Sequence, residues 1–149
     1  MRVSTKGRYA LRAMVELAIE YAQGPLQLKE IARRQEISEK YLEQIMTFLR
    51  TDGYVLTQKG SHGGYYLSLP PEEVTLLEVL RTTEGSLAPV SCVENPDTCG
   101  RIDLCVVRKI WTRVKEVICE ELESVTLADL AIEQKNLRQQ QNEPPYFNI

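Results

Sequence analysis

Long hydrophobic runs are missing from this sequence of 149 residues. No stretch approaches the roughly 18 consecutive apolar residues that would predict a transmembrane helix. The first 14 residues (MRVSTKGRYALRAM) also lack the apolar segment of a signal peptide. We therefore predict a cytoplasmic protein that has no membrane partner.

Histidine is equally scarce, because His62 is the only one in the chain. It falls in the turn-like stretch 59–64 (KGSHGG), where it is more typical of a turn residue than of a ligand or a catalytic base. The basic residues nearest in sequence to the cysteines are Arg101 and Arg108. A thiol enzyme is therefore disfavoured, and we predict no catalytic residues.

The formal net charge of −3 would by itself argue against nucleic-acid binding, but the charge is distributed unevenly. Residues 1–68 contain ten Lys and Arg against seven Asp and Glu, whereas residues 69–149 contain eight against fourteen. A basic half joined to an acidic half is typical of a DNA-binding unit with a second part that faces elsewhere. An ordinary solvated surface would give the same modest excess, and that alternative stays open.

The stretch 38–50 (SEKYLEQIMTFLR) carries the clearest helical pattern. Ser38 is a favourable N-cap. Apolar residues at helical spacing predict one buried face, formed by Leu42, Ile45 and Leu49. Polar residues predict the opposite, outward face, formed by Lys40, Glu43, Gln44 and Thr47. A shorter helical candidate over 28–35 precedes it after only three residues, which is typical of a helix-turn-helix.

A β-hairpin is predicted directly after this second helix. Residues 55–58 and 65–69 are strand-like, and Gly63 and Gly64 supply the positive φ that a tight turn between them needs. The order helix, helix, hairpin predicts a winged helix. A core helix followed by an unrelated hairpin is the alternative reading of the same spacing.

The remaining pattern predicts a mainly α chain in three parts. A long first helix over 5–22 carries three cations at its start, Lys6, Arg8 and Arg12, which would meet phosphate or be solvated. We divide the chain into a winged helix-turn-helix domain (1–69), a region with a cysteine loop and a dimerisation helix (70–135) and a C-terminal tail (136–149). Within the second part we expect helices over 74–83, 103–123 and 126–134.

The helix over 103–123 is the longest one predicted. Its apolar residues step by three or four, close to a coiled-coil seam, and they are Leu104, Val107, Trp111, Val114, Ile118 and Leu122. The small N-terminal core offers this seam no evident partner, so we assign it to a homodimer interface. Packing within its own subunit is the alternative.

Three of the four cysteines lie close together, as Cys92-x6-Cys99-x5-Cys105. A loop can fold three thiolates around one centre, and iron–sulfur clusters are held in this way. Zinc, a thiol switch and inert cysteines remain alternatives. Cys119 follows Cys105 by 14 residues on the same predicted helix, roughly 21 Å away at 1.5 Å per residue, so we do not expect it to be a ligand.

Four stretches carry a resemblance to a known family: STKGRYAL at 4–11, ISEKYLEQ at 37–44, GSHGGYYL at 60–67 and TLADLA at 126–131. They resemble the IscR-type winged-helix repressors, a group that includes IscR, NsrR and CymR. The resemblance runs from residue 1 to about residue 135. It implies a homodimer that regulates transcription by binding a near-palindromic site on double-stranded DNA.

The resemblance also implies site residues. Tyr41, Glu43 and Gln44 on the second helix and Lys59 in the wing would touch DNA. Together with the cations and polar groups described above, the predicted DNA-binding set is Lys6, Arg8, Lys40, Tyr41, Glu43, Gln44, Thr47 and Lys59.

The cysteine loop looks like that of IscR, which implies an iron–sulfur cluster of the 2Fe-2S type on Cys92, Cys99 and Cys105 and control of cluster-assembly genes. The position of the IscR histidine ligand is Arg108 here, and arginine is a poor ligand because it stays protonated. The NsrR-type ligand from the partner subunit would correspond to Arg8, which argues against that route. The fourth ligand therefore stays open among Glu94, Asp97, Asp103, water and a small thiol. The alternative is a CymR-type repressor that responds to cysteine metabolism or thiol redox state without a cluster.

Overall fold

The computed structural model describes residues 2–142, which form a mainly helical fold with one two-stranded antiparallel sheet. This confirms the predicted fold class. The helices are α1 (Thr5–Ile19), α2 (Leu28–Gln35), α3 (Glu39–Thr51), α4 (Leu76–Glu84), α5 (Ser91–Glu94), α6 (Val106–Ser124) and α7 (Leu127–Asn142). The strands are β1 (Val55–Gln58) and β2 (Gly64–Leu67).

The helix-turn-helix forms as predicted. Glu36 ends α2 in the left-handed conformation at φ 54°, which turns the chain sharply before α3. Ser38 caps α3 by accepting a hydrogen bond from the backbone N–H of Tyr41 at 3.3 Å. This cap satisfies one of the free N–H groups of the first turn, and it fixes where α3 begins.

The hairpin is attached to the loop between α1 and α2. Val55 pairs with Leu67 and Gln58 with Gly64, while Leu26 exchanges two backbone hydrogen bonds of 2.8 Å with Tyr65. A Cβ at Gly64 would lie 2.4 Å from the carbonyl oxygen of Leu26. Only glycine allows this close approach, so the wing is held against the body of the domain.

The core lies between α1, α3, α4 and α7. Its largest completely buried side chains include Met14 of α1, Leu42 and Leu49 of α3, Leu80 of α4 and Leu127 of α7. Because α7 packs along α1, the C-terminal helix belongs to the same core as the helix-turn-helix. A Thr75–Glu78 capping box starts α4 and holds it in that layer.

Three helix boundaries differ from the sequence-based prediction by three residues or more. The first helix ends at Ile19 instead of 22, and Ala22 adopts a left-handed conformation at φ 67°. The start of α6 is Val106, because residues 102–104 form a 3-10 turn. The last helix continues to Asn142, so the predicted tail begins as a helix, and residues 143–149 lie outside the described range.

The longest helix, α6, has no buried residue in the single chain. Between residues 2 and 142, no helix is both long and apolar enough to cross a bilayer.

Candidate DNA-binding surface and cysteine loop

The outward face of α3 is polar and fully accessible. Its apolar residues Leu42, Ile45, Met46 and Leu49 have no exposed area. The four predicted polar residues on the other side are all exposed: Lys40, Glu43, Gln44 and Thr47. The Thr47 hydroxyl donates to the carbonyl oxygen of Glu43 at 2.9 Å, so it is partly engaged within the helix.

The cations at the start of α1 lie beside this face. The ammonium of Lys6 sits over the ring of Phe48 on α3, 4.5 Å from its centroid. Arg8 is exposed and donates to the hydroxyl of Thr5 at 3.2 Å. The structure thus brings Lys6 to α3 and leaves Arg8 facing solvent on the same helix.

Arg12 has a different position from that expected of a phosphate contact. Its Nε donates to the side chain of Gln35 at 2.8 Å, and its Nη2 donates to the backbone carbonyl of the same residue. Its guanidinium also lies over the ring of Tyr9, at 5.1 Å from the centroid. Arg12 therefore fastens the end of α2 to α1.

Tyr41 is half-buried and contacts Tyr9 edge to face, with ring centroids 5.9 Å apart. It packs α3 against α1 while keeping part of its surface accessible. In the wing, Lys59 and His62 are exposed near the tip, and the amide of Gln27 donates to the carbonyl of Ser61 at 3.3 Å. This bond supports the wing from the start of α2.

Behind α2 lies a buried ionic cluster that the sequence pattern did not reveal. Glu16 of α1 is completely buried and accepts hydrogen bonds from Arg34 of α2, Gln35 of α2 and Arg138 of α7. Burial would raise the pKa of Glu16, but the bonds from Arg138, Gln35 and Arg34 outweigh it and hold this pKa below its ordinary value. The cluster therefore holds an ionised carboxylate.

Two further carboxylates complete the charge balance around Arg34. This guanidinium bonds Glu20 at 2.9 Å and Glu30 at 2.7 Å. Arg33 and Arg34 together lower the pKa of the half-buried Glu30 to about 2. Glu16 and its partner on α7 lie 122 residues apart in the sequence, so no local pattern signals this cluster.

The cysteine loop connects α4 to α6. Cys92 lies in α5, Cys99 follows a 3-10 turn over Pro96–Thr98, and Cys105 immediately precedes α6. All four cysteines, including Cys119 within α6, have free thiols. No residue between 86 and 105 is buried, so few packing contacts oppose a change in the shape of this loop.

Arg108 ties the two ends of the loop together. Its Nε donates to the backbone carbonyl of Cys92 at 3.1 Å. Over the described part of the chain, no three His, Cys, Asp or Glu side chains converge closely enough to hold a metal ion. The structure thus places the three cysteines on one loop without bringing their sulfur atoms to a common point.

A helix-turn-helix with a hairpin wing, whose second helix displays a polar outer face, defines the class of winged-helix DNA-binding proteins. Residues 3–133 match the family model of Rrf2, described as an iron-dependent transcriptional regulator. The chain belongs to the Rrf2 family. Proteins of this family regulate transcription and are not enzymes, which confirms the prediction that no catalysis takes place here.

The chain is 40% identical over 131 residues to the transcriptional regulator CymR of Bacillus subtilis, spanning 88% of this chain and 90% of that protein. The solved structure of that CymR, called the global cysteine regulator, gives a TM-score of 0.76 at 38% identity over 89% of this chain and 98% of CymR. The solved structure of IscR from T. potens gives a TM-score of 0.75 at 36% identity, covering 100% of this chain and 97% of that one. The predicted resemblance to IscR-type regulators is confirmed. This chain is similar to CymR and to IscR to about the same degree.

Proposed function

We propose that the chain is a homodimeric transcriptional regulator in the cytoplasm that binds a near-palindromic site on double-stranded DNA. The observation that carries this proposal is the two-sided character of α3, apolar and buried on one side and polar and accessible on the other. Helix α3 would lie in the major groove, with the wing at the adjacent minor groove or backbone.

Within this interface the residues divide by chemistry. Glu43 and Gln44 have the groups that read base edges, with Tyr41 and Thr47 beside them on the same helix. Cations would meet phosphates and set the orientation of the domain, and these are Lys6, Arg8, Lys40 and Lys59.

Dimerisation through α6 is supported by its accessible apolar stripe. Val106 is 73% exposed and Ile110 is 60% exposed, and Val107 and Val117 lie on the same side. Ile118 and Leu122, which the predicted seam also included, instead line a groove with Leu80 of α4 in the same subunit. The proposed interface is therefore the stripe 106, 107, 110 and 117, with Trp111 at its margin.

We further propose that Cys92, Cys99 and Cys105 hold an iron–sulfur cluster of the 2Fe-2S type. Three free thiols on an unburied loop supply three of the four ligands that such clusters use. Arg108 contributes a bond to the loop backbone and no ligand. Since the three sulfur atoms do not converge in the described conformation, binding would reshape the loop.

The position of Cys105 suggests how loop and DNA would be linked. This residue directly precedes α6, so a change in the loop reaches the proposed dimer helix without an intervening segment. The spacing of two recognition helices depends on that interface. By similarity to IscR, the regulated genes would be those of cluster assembly.

A second candidate is a regulator of cysteine metabolism or thiol redox state without a cluster. The similarity to the cysteine regulator CymR favours it, as does the exposed free thiol of Cys99. In this case the loop thiols would react directly with an oxidant or a sulfur compound.

Anaerobic purification followed by visible absorption spectroscopy and iron and sulfide analysis separates the two candidates. A cluster regulator shows visible absorption bands, stoichiometric iron and sulfide, and DNA affinity that changes when the metal is chelated. A protein that purifies without colour or iron, even after anaerobic reconstitution, and whose DNA affinity follows thiol oxidation supports the second candidate.

A further inference from the structure

Phe48 is an unusual residue for the outer face of α3. The other large apolar residues of the helix have no exposed area, whereas Phe48 is 46% exposed. It follows Gln44 by four residues, so it lies one turn further along the polar face. A single exposed aromatic residue is common and by itself indicates no function. The contact between Phe48 and Lys6, however, indicates a role for this exposed ring.

The ring of Phe48 is the partner that the described structure provides for the Lys6 ammonium. The nitrogen lies 4.5 Å from the ring centroid, within cation–π distance, and between residues 2 and 142 Lys6 forms no ion pair. A carboxylate in this place would neutralise the lysine. An aromatic face holds the cation and leaves its positive charge and its N–H groups available to a phosphate.

The contact also fixes a register between two helices. Lys6 and Tyr9 of α1 meet Phe48 and Tyr41 of α3, respectively, at two separate points along the crossing. Since Glu43 lies on α3 between these points, the position of the α1 cation relative to the base-reading side chain is set by aromatic contacts.

We propose that Phe48 is a positioning residue for DNA binding, which holds Lys6 ready for a phosphate in fixed register with the base-reading face of α3. This inference rests on the proposed DNA-binding function. Its physical basis is preorganisation: a lysine side chain that is already ordered loses less conformational freedom when it meets a phosphate.

The test compares Phe48→Leu, Phe48→Tyr, Lys6→Ala and the double variant Lys6→Ala/Phe48→Leu. The probe is a duplex selected by the wild-type protein from a random-sequence library, measured at several salt concentrations. Phe48→Leu should weaken binding about 2- to 5-fold per subunit, hence about 4- to 25-fold for a dimer. Phe48→Tyr keeps the aromatic face and should bind like the wild type.

The double variant decides the mechanism. If Phe48 acts through Lys6, adding Phe48→Leu to Lys6→Ala should change affinity by less than about 2-fold. The proposal would be overturned if Phe48→Leu bound DNA as tightly as the wild type. It would also be overturned if Phe48→Leu weakened binding equally in the wild type and in Lys6→Ala. Ile132→Ala is the matched control, because Ile132 on α7 is 61% exposed and should have no effect on binding.

Two further measurements keep the outcomes distinct. Pentafluorophenylalanine at position 48 preserves the shape of the ring but reverses the charge of its face. It should therefore weaken DNA binding as much as Phe48→Leu, and it provides the test if the leucine variant is unstable. Wild-type DNA affinity of the fluorinated protein would contradict the proposal. Lys6→Ala should lower the slope of log affinity against log salt by about 0.9 per contact. If the wild-type protein selects no duplex from the library, both the DNA-binding function and the role of Phe48 are refuted. If Lys6→Ala lowers the salt slope as expected but the Phe48 variants bind like the wild type, only the role of Phe48 is refuted.

Discussion

Arg138 on the last helix forms an ion pair with Glu16 on the first helix, and the carboxylate of Glu16 is completely buried. The same carboxylate bonds Arg34 and Gln35 of α2, and Gln35 in turn bonds Arg12. The C-terminal helix is thereby connected through one buried charge to the first helix of the helix-turn-helix. Residues far from DNA thus support the geometry of the DNA-binding unit.

Arg138→Ala should lower the free energy of unfolding by about 2 kcal/mol. Removing one partner of a buried pair leaves the other charge uncompensated, which costs about 3–5 kcal/mol for a fully buried pair. Arg138 is partly exposed and Arg34 remains as a second partner, so a smaller loss is expected. Urea unfolding followed by circular dichroism measures it. Arg33→Ala, which breaks an exposed pair with Glu30, is the control and should cost less than about 1 kcal/mol.

The buried Glu16 should also give the protein a characteristic acid sensitivity. Its pKa is lower in the folded state than the ordinary value of 4.5, so ionised Glu16 stabilises the fold fully above that pH. The stabilisation is lost as pH falls below about 4.5 through the lower folded value. In Glu16→Gln this component of the pH dependence should disappear. Stability curves of the two proteins that stay parallel from pH 6 to pH 3 would show that Glu16 does not titrate as described.

The local elements of the fold were predictable because short-range signals determine them. The ends of α2 and β1 agree with the prediction to the residue, since short stretches of neighbouring residues carry the helical and strand-like patterns on which the prediction depended. The prediction extended α1 to residue 22 because Tyr21 continued the apolar stripe. The chain instead leaves the helix at Ile19 and turns toward the wing.

Long-range relationships left no comparable signal. The bond between Glu16 and Arg138 joins residues 122 positions apart, and either residue alone reads as an ordinary surface charge. Arg12 was grouped with Lys6 and Arg8 because spacing along α1 cannot show that Gln35 occupies its guanidinium. The sequence pattern and the resemblance together supplied the candidate DNA contacts, while the role of Phe48 depends on a contact between two helices.

Glu43→Ala should relax sequence choice without weakening general DNA binding. The carboxylate of Glu43 is exposed on a surface that would face phosphates, where repulsion opposes it unless it accepts a hydrogen bond from a cytosine amino group. Specific affinity should fall by about 1–3 kcal/mol per half-site, and affinity for unrelated duplex DNA should be equal or higher. Competition binding with a selected and an unrelated duplex measures both. A parallel loss of both affinities would assign Glu43 a structural role.

Ile110→Glu should convert the dimer to a monomer. The side chain of Ile110 is 60% exposed at the centre of the proposed apolar stripe on α6, and a charge buried there without a partner is strongly unfavourable. Analytical ultracentrifugation gives the oligomeric state directly. Lys109→Glu introduces the same residue one position away on the polar side of α6 and should remain dimeric. If both variants remain dimers, the stripe is not the interface.

Cys92→Ala, Cys99→Ala and Cys105→Ala should each abolish cluster binding, while Cys119→Ala should retain it. The first three thiols share an unburied loop, and their removal leaves the core and the α6 stripe unchanged. Cys119 lies in α6, roughly 21 Å along the helix from Cys105 at 1.5 Å per residue, too far to share a ligand set. Iron and sulfide analysis of anaerobically reconstituted protein measures cluster content, and circular dichroism verifies the fold of each variant. Loss of iron from Cys119→Ala together with its retention in Cys92→Ala would refute the ligand assignment.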